Sequence, residues 1–215
     1  MTRIDDLDRV PVGTHGLLWR PVRRRLGIEA FGVNAYTSDG PGEEVVEAHD
    51  ELGSGAGHHE ELYVVLRGRA TFTLDGEEHD APAGTLVFVR DPAIRRSAVA
   101  VDADTAVLAV GGERGAAYEV SPWEYSFAAK PLADAGDHTG ALALVEEALA
   151  HYPDNGAVLY DLACYRALAG DLDGAAEALL ASLDAEPKAL EWAQDDADLA
   201  SIRDRPELAA RLARD

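Results

Sequence analysis

The chain has 215 residues, of which 47% are hydrophobic, and carries a formal net charge of −21 at pH 7. This length and apolar fraction predict one or two globular domains. Such an excess of carboxylates is repelled by phosphate groups, so nucleic acids and anionic membranes are disfavoured as partners. The single cysteine, Cys164, excludes an internal disulfide, and the N-terminus lacks the apolar core of a signal peptide. Because no long apolar run occurs either, the sequence predicts a cytoplasmic protein.

The N-terminal half alternates short apolar runs with turns rich in glycine, proline and aspartate, a pattern typical of a β-sandwich or barrel. About eight strands are predicted, over residues 17–20, 28–36, 45–48, 62–66, 69–74, 85–89, 95–101 and 105–110. Asp75-Gly76 is a hairpin signal, because this pair favours the two-residue turns that join antiparallel strands.

The run GHHEELYVVLRGRATFTLDGEEHDAPAG, over residues 57–84, carries a distinctive spacing. Glu61 stands seven residues before Gly68, and a second glycine-marked turn follows. This spacing resembles the first motif of the cupin superfamily, which ends in a glutamate, six residues and a glycine. The resemblance implies a jelly-roll β-barrel over residues 13–112 that binds a small molecule and often holds a metal ion inside.

Metal-binding cupins carry two histidines, separated by one residue, ahead of that glutamate. If the loop between the histidine pair and the glutamate is lengthened here, His49 and Glu51 stand at the places of the two histidines. The resemblance then implies His49, Glu51, Glu61 and His59 as metal ligands, and this donor set suits Fe, Mn, Ni, Cu or Zn. The alternative is that His49 and Glu51 pair with arginines, while His58 and His59 are exposed in a glycine-rich loop.

The second cupin motif normally supplies a further metal-binding histidine, and Arg95 stands at that place. Arginine stays protonated and cannot ligate a metal. We therefore expect Arg95 to point into the barrel and pair with Glu61, as an ion pair or as an anion-binding group, while Arg96 faces the other way. Trp19 and Tyr36, on early strands, are further candidates for lining a ligand pocket, with core packing as the alternative.

After residue 121 the chain becomes rich in alanine and leucine at helical spacing, and it repeats itself. The positions that recur 34 residues later are Gly136, Asp137, Gly140, Ala141, Leu149 and Pro153. This period resembles the tetratricopeptide repeat. The resemblance covers residues 121–187 and implies two helix pairs, with a capping segment over 190–215 whose helix begins near Pro206. Pro131 is expected to kink or shorten the first helix.

The predicted fold class is therefore α+β and multidomain. A cupin β-barrel over residues 13–112 is followed by a linker over 113–121 and by tetratricopeptide-like helices over 122–215. Two repeats are fewer than such arrays usually need for stability, which predicts that they pack on the barrel, on a second copy of the chain or on a protein partner. Tyr160, Cys164 and Leu168, at the places where peptide-binding relatives bear basic side chains, favour packing over peptide capture.

Two functions stay open at this level. The first is a small-molecule-binding cupin with a helical scaffold, non-catalytic or with a degenerate metal site. The second is a metal-dependent enzyme of the oxygenase, isomerase or lyase class that acts on a small anionic substrate. In the second case Arg95 would orient a substrate carboxylate beside the four metal ligands. The sequence does not decide whether the protein is an enzyme, since cupin barrels carry many different activities.

Overall fold

A computed structural model describes residues 1–212 of the chain, so the last three residues of the predicted capping segment lie outside the described residues. The chain divides into two compact units, Met1–Val120 and Ser121–Asp215, called here the barrel unit and the helical unit. Among the described residues, no helix is long and apolar enough to cross a membrane.

The described part of the barrel unit contains ten strands and one short helix. The strands are β1 (Val10–Val12), β2 (Leu17–Arg20), β3 (Gly32–Thr37), β4 (Glu44–His49), β5 (Glu60–Arg67), β6 (Arg69–Leu74), β7 (Glu77–Pro82), β8 (Leu86–Val89), β9 (Arg96–Ala100) and β10 (Ala106–Gly112), and the helix is α1 (Val22–Leu26). They form a six-stranded sheet in the order β1-β2-β3-β10-β5-β8 and a four-stranded sheet in the order β4-β9-β6-β7. All neighbouring strands run antiparallel, as the predicted jelly-roll requires.

Two of these strands are absent from the sequence prediction. β1 lies ahead of residue 13, where the barrel was expected to begin. β7 pairs along its whole length with β6, yet Ala81 is its one buried residue. Without alternating apolar residues, β7 gives no strand signal, and only its pairing with β6 defines it. The turn between them was predicted correctly, since Asp75 and Gly76 both have positive φ, of 47° and 88°.

The core of the barrel unit consists of side chains on the facing sides of the two sheets. Its buried members are Val45, Val46, Tyr63, Val65, Ala70, Phe72, Ala81, Val89, Ala98, Ala100, Val107 and Ala109. On β5, the alternation of the strand turns Tyr63 and Val65 inward, and the Tyr63 ring lies 5.6 Å from that of Phe72 on β6. Burying each large apolar side chain of this kind stabilises the fold by roughly 1.5–3 kcal/mol.

The helical unit contains the two predicted helix pairs. Its helices are α2 (Pro122–Asp134), α3 (His138–His151), α4 (Gly156–Ala169), α5 (Leu172–Ala185), α6 (Ala189–Asp195) and α7 (Pro206–Leu212). Helix α2 packs on α3, and α4 packs on both α3 and α5. Helix α7 begins at Pro206, as predicted, whereas α6 was not predicted. Helix α2 continues through Pro131 to Asp134, so the expected shortening at this proline does not occur.

The recurring residues of the repeat each have a local role in the backbone. Gly136 has a φ of 82°, which glycine adopts without strain, and lets the chain turn between α2 and α3. Asp137 caps α3, because its Oδ1 accepts a hydrogen bond of 2.9 Å from the Gly140 N–H. A Cβ on Gly140 would lie 2.4 Å from that carboxylate, which explains the second glycine. The same three roles recur 34 residues later at Gly170, Asp171 and Gly174.

Candidate functional site

One histidine and two carboxylates converge in the barrel unit. His49 ends β4, Glu51 follows two residues later, and Glu61 lies near the start of β5. The Nε2 atom of His49 lies 3.6 Å from Glu51 Oε1 and 3.6 Å from Glu61 Oε2. The candidate ligand atoms of these three residues all lie within 4.8 Å of one another. We call this group the ligand triad.

Glu51 holds the loop that follows β4 as well as contributing to the triad. Its side chain is almost completely buried, and its Oε2 accepts hydrogen bonds from the N–H groups of Gly57 at 3.0 Å and His59 at 3.4 Å. The loop between β4 and β5 is thus folded around this carboxylate. The sequence predicted that this loop is lengthened, and the loop ends at His59, where the chain re-enters the barrel.

His59 lies beside the triad and not within it. Its Nδ1 is 3.9 Å from Glu51 Oε2, and it is not among the three residues whose ligand atoms converge. Its ring packs where glycines leave room, since a Cβ on Gly57 would lie 2.2 Å from Nε2 and one on Gly111 would lie 3.3 Å from Nδ1. Its other neighbour is the Tyr118 ring, 5.7 Å away. His58 is exposed.

The expected pairing of Glu61 with Arg95 is wrong, because Arg96 takes that place. Arg96 is fully buried, and its Nε lies 3.4 Å from Glu61 Oε2. Arg95 is exposed, with its Nη2 donating to the carbonyl of Ala48 at 3.4 Å. Strand β9 starts at Arg96, and its inward positions carry alanine while Val99 is exposed. Arg96 shares the inward face with these alanines, so the motif spacing placed the inward arginine one residue too early.

The Arg96 guanidinium is incompletely satisfied inside the barrel. Its Nη1 donates to the carbonyl of Pro92 at 3.4 Å. Its Nε and Nη2 are buried, and within residues 1–212 neither has a hydrogen-bond partner. The contact with Glu61 is thus an ion pair without a well-formed hydrogen bond. A buried guanidinium with unpaired N–H groups is energetically costly, so this position is a marker for a bound group.

Glu61 is the electrostatic centre of the site. The Tyr63 hydroxyl donates a hydrogen bond to its Oε2. Burial alone would raise the pKa of Glu61, but His49, Tyr63 and Arg96 together lower it below its ordinary value. Burial would lower the pKa of His49, but the hydrogen bond and charge of Glu61, with the charge of Glu51, raise it above its ordinary value. At neutral pH, Glu61 is therefore ionised and His49 is readily protonated.

The donors of the triad fit a divalent transition metal in kind. One imidazole and two carboxylates are suitable ligands, and they already point at a common volume. Two features oppose tight binding: the raised pKa of His49 makes a proton compete for Nε2, and the Arg96 charge lies beside Glu61. With His49 protonated, the two cationic groups balance the two carboxylates. Replacing that proton with a divalent cation leaves the site with a net charge of about +1.

The two aromatic candidates have different positions. Trp19 is 1% exposed and lies opposite Tyr36 in the pairing of β2 with β3. Cross-strand partners share a face of the sheet, and Tyr36 packs against the barrel core. Trp19 is thus deep in the barrel unit, whereas Tyr36 is partly exposed.

The helical unit contains a second group of candidate ligands, Cys164, Asp196 and Asp198. Tyr160 donates a hydrogen bond of 2.7 Å to Asp196 Oδ2, and the Cys164 Sγ lies 3.7 Å from the same atom. Asp196 also caps the short turn Ala197–Leu199. Burial and the neighbouring carboxylates raise the pKa of Cys164 strongly, so its thiol is a poor nucleophile. Tyr160 and Cys164 are thus buried side chains that contact Asp196.

Comparison with known proteins gives one family match and several solved structures of low similarity. The tetratricopeptide repeat family matches residues 132–203. No match was found among curated proteins. KdgF from Halomonas sp. is 19% identical with a TM-score of 0.41, and the match covers 51% of this chain and 91% of that one.

Two further solved structures are similar to about half of the chain. A sugar phosphate isomerase of the cupin superfamily from Silicibacter pomeroyi is 18% identical, with a TM-score of 0.43 and coverage of 53% of this chain and 75% of that one. A predicted oxalate decarboxylase from Thermotoga maritima is 16% identical, with a TM-score of 0.41 and coverage of 53% and 98%. The family match lies within the helical unit, which is therefore tetratricopeptide-like. The activities of these barrels differ, so none of them transfers to this chain.

Proposed function

We propose that the barrel unit binds a small anionic molecule at Arg96, next to a weak divalent-metal site formed by the ligand triad. The observation that carries this proposal is the buried Arg96 guanidinium, whose Nε and Nη2 have no hydrogen-bond partner in the described chain. A carboxylate or similar anion would satisfy these donors with short, charge-assisted hydrogen bonds. The site then works as a small-molecule receptor with a degenerate metal centre.

The charges around Arg96 decide when an anion is accepted. Glu51 and Glu61 would repel an anion, and they are balanced only while both His49 and Arg96 are positive. Either a proton on His49 or a metal ion in the triad therefore favours binding. We infer that anion affinity falls above the raised pKa of His49 in metal-free protein.

The helical unit supports this receptor as an assembly module in our proposal. The support is the tetratricopeptide match and the two helix pairs, which are fewer than the three or so repeats that such arrays usually need for stability. A second copy of the chain or a protein partner would complete the array.

A binding experiment tests the anion site directly. Isothermal titration with acetate and butyrate at pH 6 compares the wild type with Arg96→Met, Arg96→Lys and the adjacent control Arg95→Met. We expect Arg96→Met to lose at least tenfold in affinity, Arg96→Lys to lose less, and Arg95→Met to match the wild type. Equal binding by wild-type and Arg96→Met protein, with circular dichroism showing that both are folded, would overturn the proposal.

A second candidate function is a metal-dependent enzyme, which the convergence of the triad favours. His49, Glu51 and Glu61 would hold the metal, which supplies Lewis-acid chemistry when bound. Tyr63 would hold a proton at its hydroxyl beside Glu61, and Arg96 would orient the anionic substrate. Metal analysis of protein purified without a histidine tag separates the two functions: stoichiometric metal that is lost in His49→Ala would favour the enzyme, and substoichiometric metal favours the receptor.

A further inference from the structure

Asn34 turns an amide towards the barrel interior. It lies on β3 opposite Ala109 of β10, and Ala109 lies opposite Tyr63 of β5. Cross-strand partners point to the same face, and both Ala109 and Tyr63 belong to the core between the sheets. Tyr36, two residues along β3, packs against the same core and confirms this parity.

The carbonyl oxygen of this amide is buried without a partner in the described chain. Asn34 is 5% exposed, and its Oδ1 has no hydrogen-bond partner in the part of the chain that the structure describes. Most buried polar atoms have such a partner, so an unpaired amide calls for a specific explanation. A leucine has the same branched arrangement of side-chain heavy atoms and would occupy the position without the polar atoms. The amide therefore indicates a bound group with complementary hydrogen bonding.

Asn34 and Arg96 lie on opposite sheets of the barrel. Arg96 is on the four-stranded sheet, and it reaches Glu61 on the six-stranded sheet across the interior at 3.4 Å. Asn34 is on the same sheet as Glu61, two strands away and one inward-facing position further along. The spacing between strands and the rise along them place the Cα atoms of Asn34 and Glu61 about 12 Å apart. The two unpaired groups thus face one interior from two sides.

Three of the inward side chains near these two groups are alanines, although Tyr63 and Phe72 line the same interior. Ala98 and Ala100 are the inward residues that follow Arg96 on β9, and Ala109 separates Asn34 from Tyr63. A short carbon chain with an anionic group at Arg96 could therefore direct a second polar group to Asn34. Because an amide offers both an acceptor and donors, a hydroxyl, which can donate and accept, fits it in either orientation.

We propose that Asn34 is a specificity-determining residue, and that the ligand of the barrel is a short-chain hydroxycarboxylic acid. This inference rests on the proposed anion site at Arg96 and adds the hydroxyl that Asn34 recognises. A site built to hydrogen-bond a ligand hydroxyl discriminates strongly against the analogue without it, because the buried polar group is then left unpaired.

Titration calorimetry with matched acids tests this inference. The probes are butyrate and its 2-, 3- and 4-hydroxy derivatives, and the proteins are wild type, Asn34→Leu and Asn34→Ala. The control is Ser38→Ala, which removes a buried hydroxyl directly after the end of β3. We expect at least one hydroxy acid to bind at least tenfold more tightly than butyrate. Asn34→Leu should abolish this preference and leave butyrate affinity unchanged, while Ser38→Ala should keep the preference.

The outcomes distinguish this inference from the function on which it rests. If butyrate binds through Arg96 but no hydroxy acid is preferred, the Asn34 inference is overturned and the anion site stands. If Asn34→Leu weakens all four acids equally, the role of Asn34 is structural and the inference is again overturned. If none of the acids binds, the anion site itself fails, and the inference fails with it. If Asn34→Leu does not fold, Asn34→Ala is titrated in its place, and the same outcomes support or overturn the inference.

Discussion

The two units of this protein differ in how sequence determines structure. In the helical unit, each recurring residue acts on the backbone beside it. Gly136 lets the chain turn, and Asp137 caps α3 by accepting a hydrogen bond from the N–H group three residues later. In the barrel unit, the important residues act across long separations, as Glu61 does with Arg96. A shift of one residue along a strand moves a side chain from the inside to the outside, whereas one along a helix only rotates it. Local sequence patterns are therefore enough to predict the helices, but they do not predict which residues meet in the barrel site.

The largest effect is expected from breaking the long-range ion pair. Glu61→Ala leaves Arg96 buried and unpaired, and we expect it to lower the free energy of unfolding by about 3–5 kcal/mol. The double variant Glu61→Leu with Arg96→Met should recover much of this loss, because no charge is left stranded. Arg95→Met, at the exposed neighbour, should change stability by less than about 0.5 kcal/mol.

Urea unfolding of the single and double variants measures these changes. Simple additivity in the double-mutant cycle would contradict the pairing. A large loss in Arg95→Met would contradict the orientation of β9 and restore the parity expected from the sequence.

The next largest effect is expected where the repeat brings helices together. Ala141 on α3 and Ala175 on α5 are completely buried. Replacing either with leucine should overpack the helix contact and cost about 1–3 kcal/mol. Ala143→Leu and Ala181→Leu, at exposed positions of the same two helices, are matched controls that should be nearly neutral. Thermal unfolding that shows no difference between the buried and exposed alanines would refute the helix pairing.

The predictive value of the sequence follows this division. The glycines, caps and period of the helical unit were readable because each residue constrains the backbone beside it. In the barrel, the motif spacing led to His49, Glu51 and Glu61, but the same spacing chose Arg95 in place of Arg96, because an offset of one residue reverses which side chain of a strand faces inward. Asn34 was missed altogether, since one asparagine in a strand shows neither its burial nor its missing partner until β3 is placed beside β10.

A third test concerns Asp161, a carboxylate of the helical unit that accepts a hydrogen bond from Ser126. Burial raises the pKa of Asp161 from 3.8 to about 6. The pKa of Asp161 is higher in the folded protein than in the unfolded chain. The contribution of its protonated form to the free energy of unfolding is therefore present at low pH and lost as pH rises through about 6. Asp161→Asn keeps the acceptor without the charge and should gain about 1–2 kcal/mol at pH 8, with solvent screening limiting the effect.

Unfolding curves at pH 4 and pH 8 give the comparison, with the exposed Asp154→Asn as control. The gain should vanish at pH 4. A gain of equal size at both pH values would show that the charge of Asp161 is not its cause.

The smallest effect is expected from metal addition to the barrel. His49 has a raised pKa, so its contribution to metal-free stability is present below its ordinary value and lost as pH rises through the raised value. Glu61 has a lowered pKa, so its contribution is present at neutral pH and lost only in acid. A metal needs neutral His49, so the melting shift on adding Mn²⁺ or Zn²⁺ should have the opposite trend and grow from pH 6 to pH 8.

Differential scanning calorimetry of the wild type and His49→Ala, with and without each metal, measures both trends. The shift should be small in the wild type, absent in His49→Ala and little changed in His59→Ala, since His59 lies beside the triad. A large shift that disappears in both variants would make the metal-dependent enzyme the better reading.

Glu51 divides its two oxygens between different tasks. Oε1 faces His49, while Oε2 accepts the N–H groups of Gly57 and His59. A cation that draws electron density from Oε1 makes Oε2 a weaker acceptor, so site occupancy and loop order are linked through one carboxylate. Amide hydrogen exchange at Gly57 and His59 therefore reports on binding at His49, and it can be measured without knowing the identity of the ligand.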